Sequence, residues 1–252
     1  MSLVAGAVGS AAISRSFLAE PSLGEIIHRH TAAMGGAAAL DRVHSKRVAV
    51  TVTEKGQPVD GIYQCAAVPE WRIDIYAGGK HVFCEGLDRQ GPWLWPADAP
   101  APADAAPDAR RTGNQGVEFN LYGLHRFPAR GHRLFLDRPQ LIDGTRYHVV
   151  RVLMRDAYET FLFINPATYL IDRRRDQRAP HPDMDPTRKF MEKRYSDYRR
   201  TDGILTAFLE EQYNLTDSKL VNSTAVKEVR LNPPSVPGAF DRTSRIWARD
   251  PS

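Results

Sequence analysis

The sequence predicts a mainly β (α+β) chain: one strongly twisted antiparallel sheet with helices over part of its concave apolar face. Three observations carry this. The hydrophobic period switches from 3.6 to 2 after an N-terminal helical stretch. Turn pairs such as Gly78-Gly79, Asp143-Gly144 and Asp202-Gly203 then recur between short β-rich runs. No shift in composition splits the series, so a single domain is the economical reading.

The centre of the pattern is residues 158–175, YETFLFINPATYLIDRRR. Proline fixes its own φ and keeps the residue before it out of the helical region, so Asn165-Pro166 starts a turn between two strands.

Taken in order, residues 22–33 form the best helix, with Ser22 and Glu25 as a capping box and Gly35-Gly36 as its stop. A short helical run, AAALDRVH, leads into the first strand, where Val48, Val50 and Val52 share one face. Strands follow at about 61–67, at EWRIDIYA, at KHVFCEGLD and at PWLWP, which makes a five-strand meander. In EWRIDIYA, Trp71, Ile73 and Ile75 point one way and Arg72, Asp74 and Tyr76 the other. Residues 96–114, rich in Ala, Pro and Asp, read as a mobile surface loop, and residues 117–127 as a short helix on the sheet. Hairpins then pair HRLFLDRPQLI with RYHVVRVLM, and FMEKRYSDYRR with ILTAFLEEQYNL. Between them lies an irregular loop over 176–188 with three prolines. KLVNSTAVKEVRLN is the last long strand, before a Pro-rich segment. A sheet this long must curl, because a flat one exposes its edges and packs badly.

A net charge of +4 is mildly basic, and the basic cluster Arg173-Arg174-Arg175 with Arg178 is expected on an exposed loop. Nucleic-acid binders concentrate charge on one face and interleave aromatics, so no nucleic acid is expected as partner. Cys65 and Cys84 fit no zinc spacing. They lie on strands either side of a third, roughly 9–10 Å apart, and a disulfide needs Cα atoms within about 7 Å. Two free, buried thiols are expected. No run is long enough to cross a bilayer. The first 19 residues are small and apolar but have neither a basic start nor a small-x-small cleavage site.

The order of features is similar to the LolA/LolB-like family, in particular outer-membrane lipoprotein-sorting proteins. The matching pieces are AAMGGAAAL before the first strand, PEWRIDI, GPWLWP, DGTRYHVVRV, INPATYLIDRR, SDYRRTDGIL and VRLNPPSVPGAF. The resemblance implies a half-open β-barrel with a helical lid over a hydrophobic cavity that holds acyl chains. Residues 21–242 would form this domain, with 1–20 a flexible terminus or remnant leader and 243–252 a tail. It also implies a periplasmic or envelope location, with the cytoplasm as the alternative because no clean signal peptide is present. The implied partners are a hydrophobic ligand or lipid and a membrane surface or lipoprotein, handled by a monomer.

A half-open barrel is too wide for its own side chains to fill. Trp71, Ile73, Ile75, Phe83, Trp93, Trp95, Phe161 and Phe163 are therefore the candidate cavity lining, with Arg72, Arg173 and Arg175 at the rim to meet a polar headgroup. Each buried ligand CH₂ would contribute about 0.8 kcal/mol, so a C16 chain could be held without a charged contact. No catalytic residue, cofactor or metal is assigned. G-x-S-x-G, P-loop and H-E-x-x-H signatures are missing. His28 and His30 point apart on their helix, His181-Pro-Asp183-Met-Asp185 reads as solvated coil, and nothing brings Asp172 to Asp197. An enzyme using the same cavity for cyclisation, isomerisation or hydrolysis is the alternative. It would need a polar cluster inside the cavity, with Tyr63, His81, Glu85 and His148 as possible members. A regulatory module that binds another protein through a sheet edge is the third reading.

Overall fold

The computed structural model describes residues 20–68, 70–179, 185 and 187–244. Helix α1 (Leu23–Met34) starts where expected: Ser22 Oγ accepts from the Glu25 amide at 3.2 Å. The Glu25 side chain completes no capping box; it pairs instead with Arg29 one turn on. Gly35, at φ 130°, ends the helix. A Cβ there would lie 2.7 Å from the Gly203 carbonyl, so the turn at 202–203 can approach only a glycine. The short helix α2 (Ala37–Leu40) leads into the sheet.

The first meander is β1 (Ser45–Glu54), β2 (Gln57–Ala66), β3 (Glu70–Ala77), β4 (Lys80–Leu87), β5 (Pro92–Pro96) and a two-residue β6 (Ala103–Asp104). Helix α3 (Pro107–Leu121) follows, then two 3₁₀ turns over Leu124–Arg126 and Pro128–Arg130. The second meander is β7 (Arg133–Ile142), β8 (Thr145–Leu153), β9 (Glu159–Ile164), β10 (Ile171–Arg178), β11 (Lys189–Thr201), β12 (Ile204–Asn214) and β13 (Lys219–Leu231). All pairings are antiparallel, and β13 closes onto β1, so the two meanders make one 13-stranded sheet with β6 and β7 at its edges. The sheet is not closed into a barrel. Register shifts at Ala49/Val50, Ile75/Tyr76, Asp137/Gln140, Ile171/Arg173 and Gln212/Tyr213 add bends to the strand twist.

Two expectations change here. The stretch read as a mobile loop over 96–114 holds β6 and the first half of α3. Its composition hides the helix, because Gly113 and Gly116 interrupt the apolar stripe. Pro107 occupies the helix start, where a missing N–H costs nothing. Packing then replaces propensity: Val117 and Leu121 are buried with Trp71, Leu87 and Cys65 of the sheet. The basic run is the second change. Arg173, Arg174 and Arg175 lie within β10, in the body of the sheet rather than on a loop.

Both sheet faces are buried in places. On the concave face Ile26, Leu124 and Phe127 pack on Val150, Val152, Leu162 and Ile164. On the opposite face Trp93 and Trp95 cluster with Cys84, and Tyr147, Val149 and Phe163 form a second group. The cysteines are free and buried as expected. Cys65 sits with the concave-face cluster and Cys84 with the outer one.

Candidate functional site

A cavity of about 170 Å³ lies between the helices and the concave face. Its walls come from α1 (His30, Met34), α2 (Leu40), α3 and the turn after it (Phe119, Leu121, Leu124), and five strands (Lys46, Leu162, Arg174, Tyr195, Leu231). Ile204, Leu205 and Ala207 of β12 complete the wall. The lining is mostly apolar, with a belt of charged groups on the sheet side.

That belt has a definite order. Lys193 Nζ lies 2.7 Å from Glu210 Oε2 across the β11–β12 pair. Burial alone would raise the Glu210 carboxyl, but Lys193, with Lys46 and Arg174 behind it, holds it below its usual value. Arg174 points inward over Phe119, 4.1 Å from the ring centre. It donates to Thr160 Oγ1 and the Tyr158 hydroxyl at 3.1 Å each and pairs with Asp176 at 3.2 Å. Lys46 is only 9% exposed, and its ammonium finds a single acceptor among the described residues, Asn120 Oδ1 at 3.5 Å. Burial pushes its pKa down; the Cys65 thiol and the Glu210 carboxylate act the other way.

The helices are clamped to the sheet by polar contacts at the cavity's margin. Glu118 of α3 accepts from Arg130 at 2.5 and 2.8 Å and lies 3.2 Å from the buried His132. Gln115 donates to Asp156 in the β8–β9 turn at 2.9 Å. On α1, buried His30 donates from Nδ1 to the Tyr169 carbonyl at 2.8 Å, while His28 is exposed.

The residues expected to line the cavity sit elsewhere, and none of the eight is among the wall residues of this cavity. Trp71, Ile73, Ile75 and Phe83 share the concave face, but near the β6 edge, where Trp71 and Ile73 belong to the cluster under α3. Trp93, Trp95, Phe161 and Phe163 lie on the outer face. Of the rim arginines, Arg72 is wholly buried on the outer face, gripping Asp74 through Nε and Nη2 at 2.9–3.1 Å. Its Nη1 donates to the Ala239 and Ser244 carbonyls. Arg173 and Arg175 also face outward and share Glu192, at 2.9 and 2.7 Å.

The residues weighed for catalysis do not converge. His81 lies by Asp74 on the outer face, His148 stacks on Tyr169, and Tyr63 is beneath α3. Asp172 accepts from Tyr147 and Asn165, whereas Asp197 is held by Arg199. His181 and Asp183 lie outside the described residues. Asp74, His81 and Cys84 come within 4.8 Å of one another, but Arg72 already takes both Asp74 oxygens, which sets a cation where a metal would be.

An open antiparallel half-barrel with one helix (α3) crossing from its β6 edge towards its β7 edge is a specific architecture, and it has counterparts. No protein-family model matches the sequence, and no curated protein matches it either. Among solved structures, a LolA superfamily protein from Nitrosomonas europaea superposes with a TM-score of 0.55 at 11% identity, over 83% of this chain and 93% of the other. The chain has a LolA-like fold. An outer membrane lipoprotein-sorting domain from Vibrio parahaemolyticus and a DUF1329 family protein from Desulfovibrio piger each align over 86% of this chain and 95% of theirs. Their TM-scores are 0.48, at 9% and 10% identity. In this LolA-like half-barrel no described helix is long and apolar enough to cross a membrane.

Proposed function

We propose that this protein binds and carries a lipid, a lipoprotein acyl chain or another hydrophobic small molecule in the cavity between sheet and helices, acting as a monomer in the cell envelope. The supporting observation is the cavity itself, an apolar space that side chains from both layers line without filling. The space is partly open to solvent, a cleft that an apolar ligand can reach.

Its size limits what it takes in this conformation. An engineered cavity of about 150 Å³ in another protein takes up one benzene. At about 170 Å³ the space accepts a ring or a short length of chain, not a whole C16 acyl group. A longer chain requires α1 and α3 to move away from the sheet. Each CH₂ that enters contributes about 0.8 kcal/mol, which drives such an opening once several are buried.

Native mass spectrometry of the purified protein, with solvent extraction of the same sample, tests the reading. A bound apolar species, or uptake of added lipid by the emptied protein, is expected. A protein that carries none and takes up none would overturn it.

A further inference from the structure

Lys46 is a buried cation with no ion pair among the described residues. The other charges on the cavity wall are matched: Lys193 with Glu210, and Arg174 with Asp176. Lys46 has the Asn120 amide oxygen at 3.5 Å, and no carboxylate within ion-pairing distance among the described residues. Diagonal to it on the same sheet face, the Tyr63 hydroxyl is also buried, with Asn120 and the Cys65 thiol as its polar neighbours. A buried ammonium with one long hydrogen bond stands on the cavity wall, with a buried hydroxyl on the neighbouring strand. Such groups cost free energy unless something pairs with them.

Resting on the carrier reading above, we infer that the ligand is an amphiphile with a carboxylate end, its chain against Met34, Leu40 and Leu231 and its carboxylate on the Lys46 ammonium. The carboxylate would accept from the Lys46 ammonium, which faces the cavity. A ligand of this class neutralises the unmatched charge, which a purely apolar one leaves bare. Both lysines flank Glu210, but only Lys193 is within ion-pairing distance of it, so Lys46 is the cation left for a ligand.

The test compares decanoate with decanol on the delipidated full-length protein by calorimetry, in the wild type and in Lys46→Met. The wild type should bind decanoate about tenfold or more tighter than decanol, the range of a charge-assisted hydrogen bond. Lys46→Met should lose that preference and bind the two ligands alike. Because methionine fills much the same volume without the charge, binding of decanol by the variant also reports an intact cavity. Equal binding of the two ligands by the wild type, or a decanoate preference that survives in Lys46→Met, would overturn the assignment and leave the carrier reading standing. Failure of the wild type to bind either ligand would remove both.

Discussion

The indole nitrogen of Trp71 occupies the space that a side chain at position 113 would need. A Cβ added to Gly113 would lie 1.9 Å from Trp71 Nε1. Helix α3 therefore rests on the sheet through a glycine, and the concave surface beneath it is already filled by Trp71 and Leu87, with Val117 of the helix packed against them. This contact places the cavity towards α1 and β10–β13, away from the β6 edge.

Gly113→Leu should lift α3 off Trp71. Overpacking of this kind typically costs about 1–3 kcal/mol. Denaturant unfolding should show a loss in that range, and a dye that reports exposed apolar surface should bind more strongly to the folded variant. An unchanged midpoint with unchanged dye binding would mean that α3 does not dock on Trp71.

The clamp at Glu118 makes the attachment of the helix sensitive to acid. Burial would raise this carboxyl, but Arg130 and His132 hold it below its ordinary value of 4.5. A carboxyl lowered in the folded state contributes stability above its unfolded pKa and loses it as pH falls through the folded one. Wild-type stability should therefore fall below about pH 4.5, and Glu118→Gln should be less stable at neutral pH but flatter through that window. Losing hydrogen bonds to a charged partner costs about 1.5–3 kcal/mol, reduced here because Arg130 is partly exposed. Thermal melts of both proteins between pH 3 and 7 decide it.

The outer-face pair of Arg72 and Asp74 is structural and no part of a rim, which is also testable. Both side chains are 0% exposed. Asp74→Ala leaves a guanidinium buried beside its lost partner, a change that costs about 3–5 kcal/mol in comparable sites. Urea unfolding should show that loss; a variant as stable as wild type would mean that water already reaches the pair.

The strand series was legible because turn pairs and period-2 alternation are local signals. The α1 start at Ser22, the β9–β10 hairpin around Asn165 and the Asp143-Gly144 turn all follow from residues a few positions apart. The choice of face was not. In TFLFI both alternating sets are apolar, so nothing local says that Leu162 turns to the cavity and Phe161 and Phe163 away from it. PWLWP poses the same problem, and Trp93 is buried beneath Arg72, which the C-terminal segment meets only in the folded chain. Lys46 was the missed signal. It has the parity of Val48, Val50 and Val52, so the alternation that marks the apolar face also turns this lysine inward. Glu210 carried no comparable mark, because pairing with Lys193 depends on cross-strand register. The second half of α3 showed in the apolar stripe from Val117, but its first half did not, because that part is held by docking onto Trp71.

The C-terminal segment straps the outer face through one arginine. Arg242 donates to Asp88 from its backbone and its guanidinium at 3.0–3.2 Å and reaches Asp104 at 2.7 Å. Residues 239 and 244 meanwhile accept from Arg72. The strap lies on the face that carries Cys84, whose thiol burial pushes up to about 12; Cys65, on the other face, is raised to about 11. Only thiolates alkylate readily, so both cysteines should resist a thiol reagent at pH 8 in the folded protein. Asp88→Ala releases the strap without touching the helices. Labelling of Cys84 should then accelerate while Cys65 stays slow, as read by mass spectrometry of the digested protein at timed intervals. Equal acceleration at both sites would mean that the variant unfolds as a whole, and no acceleration at either would mean that the strap does not guard the outer cluster.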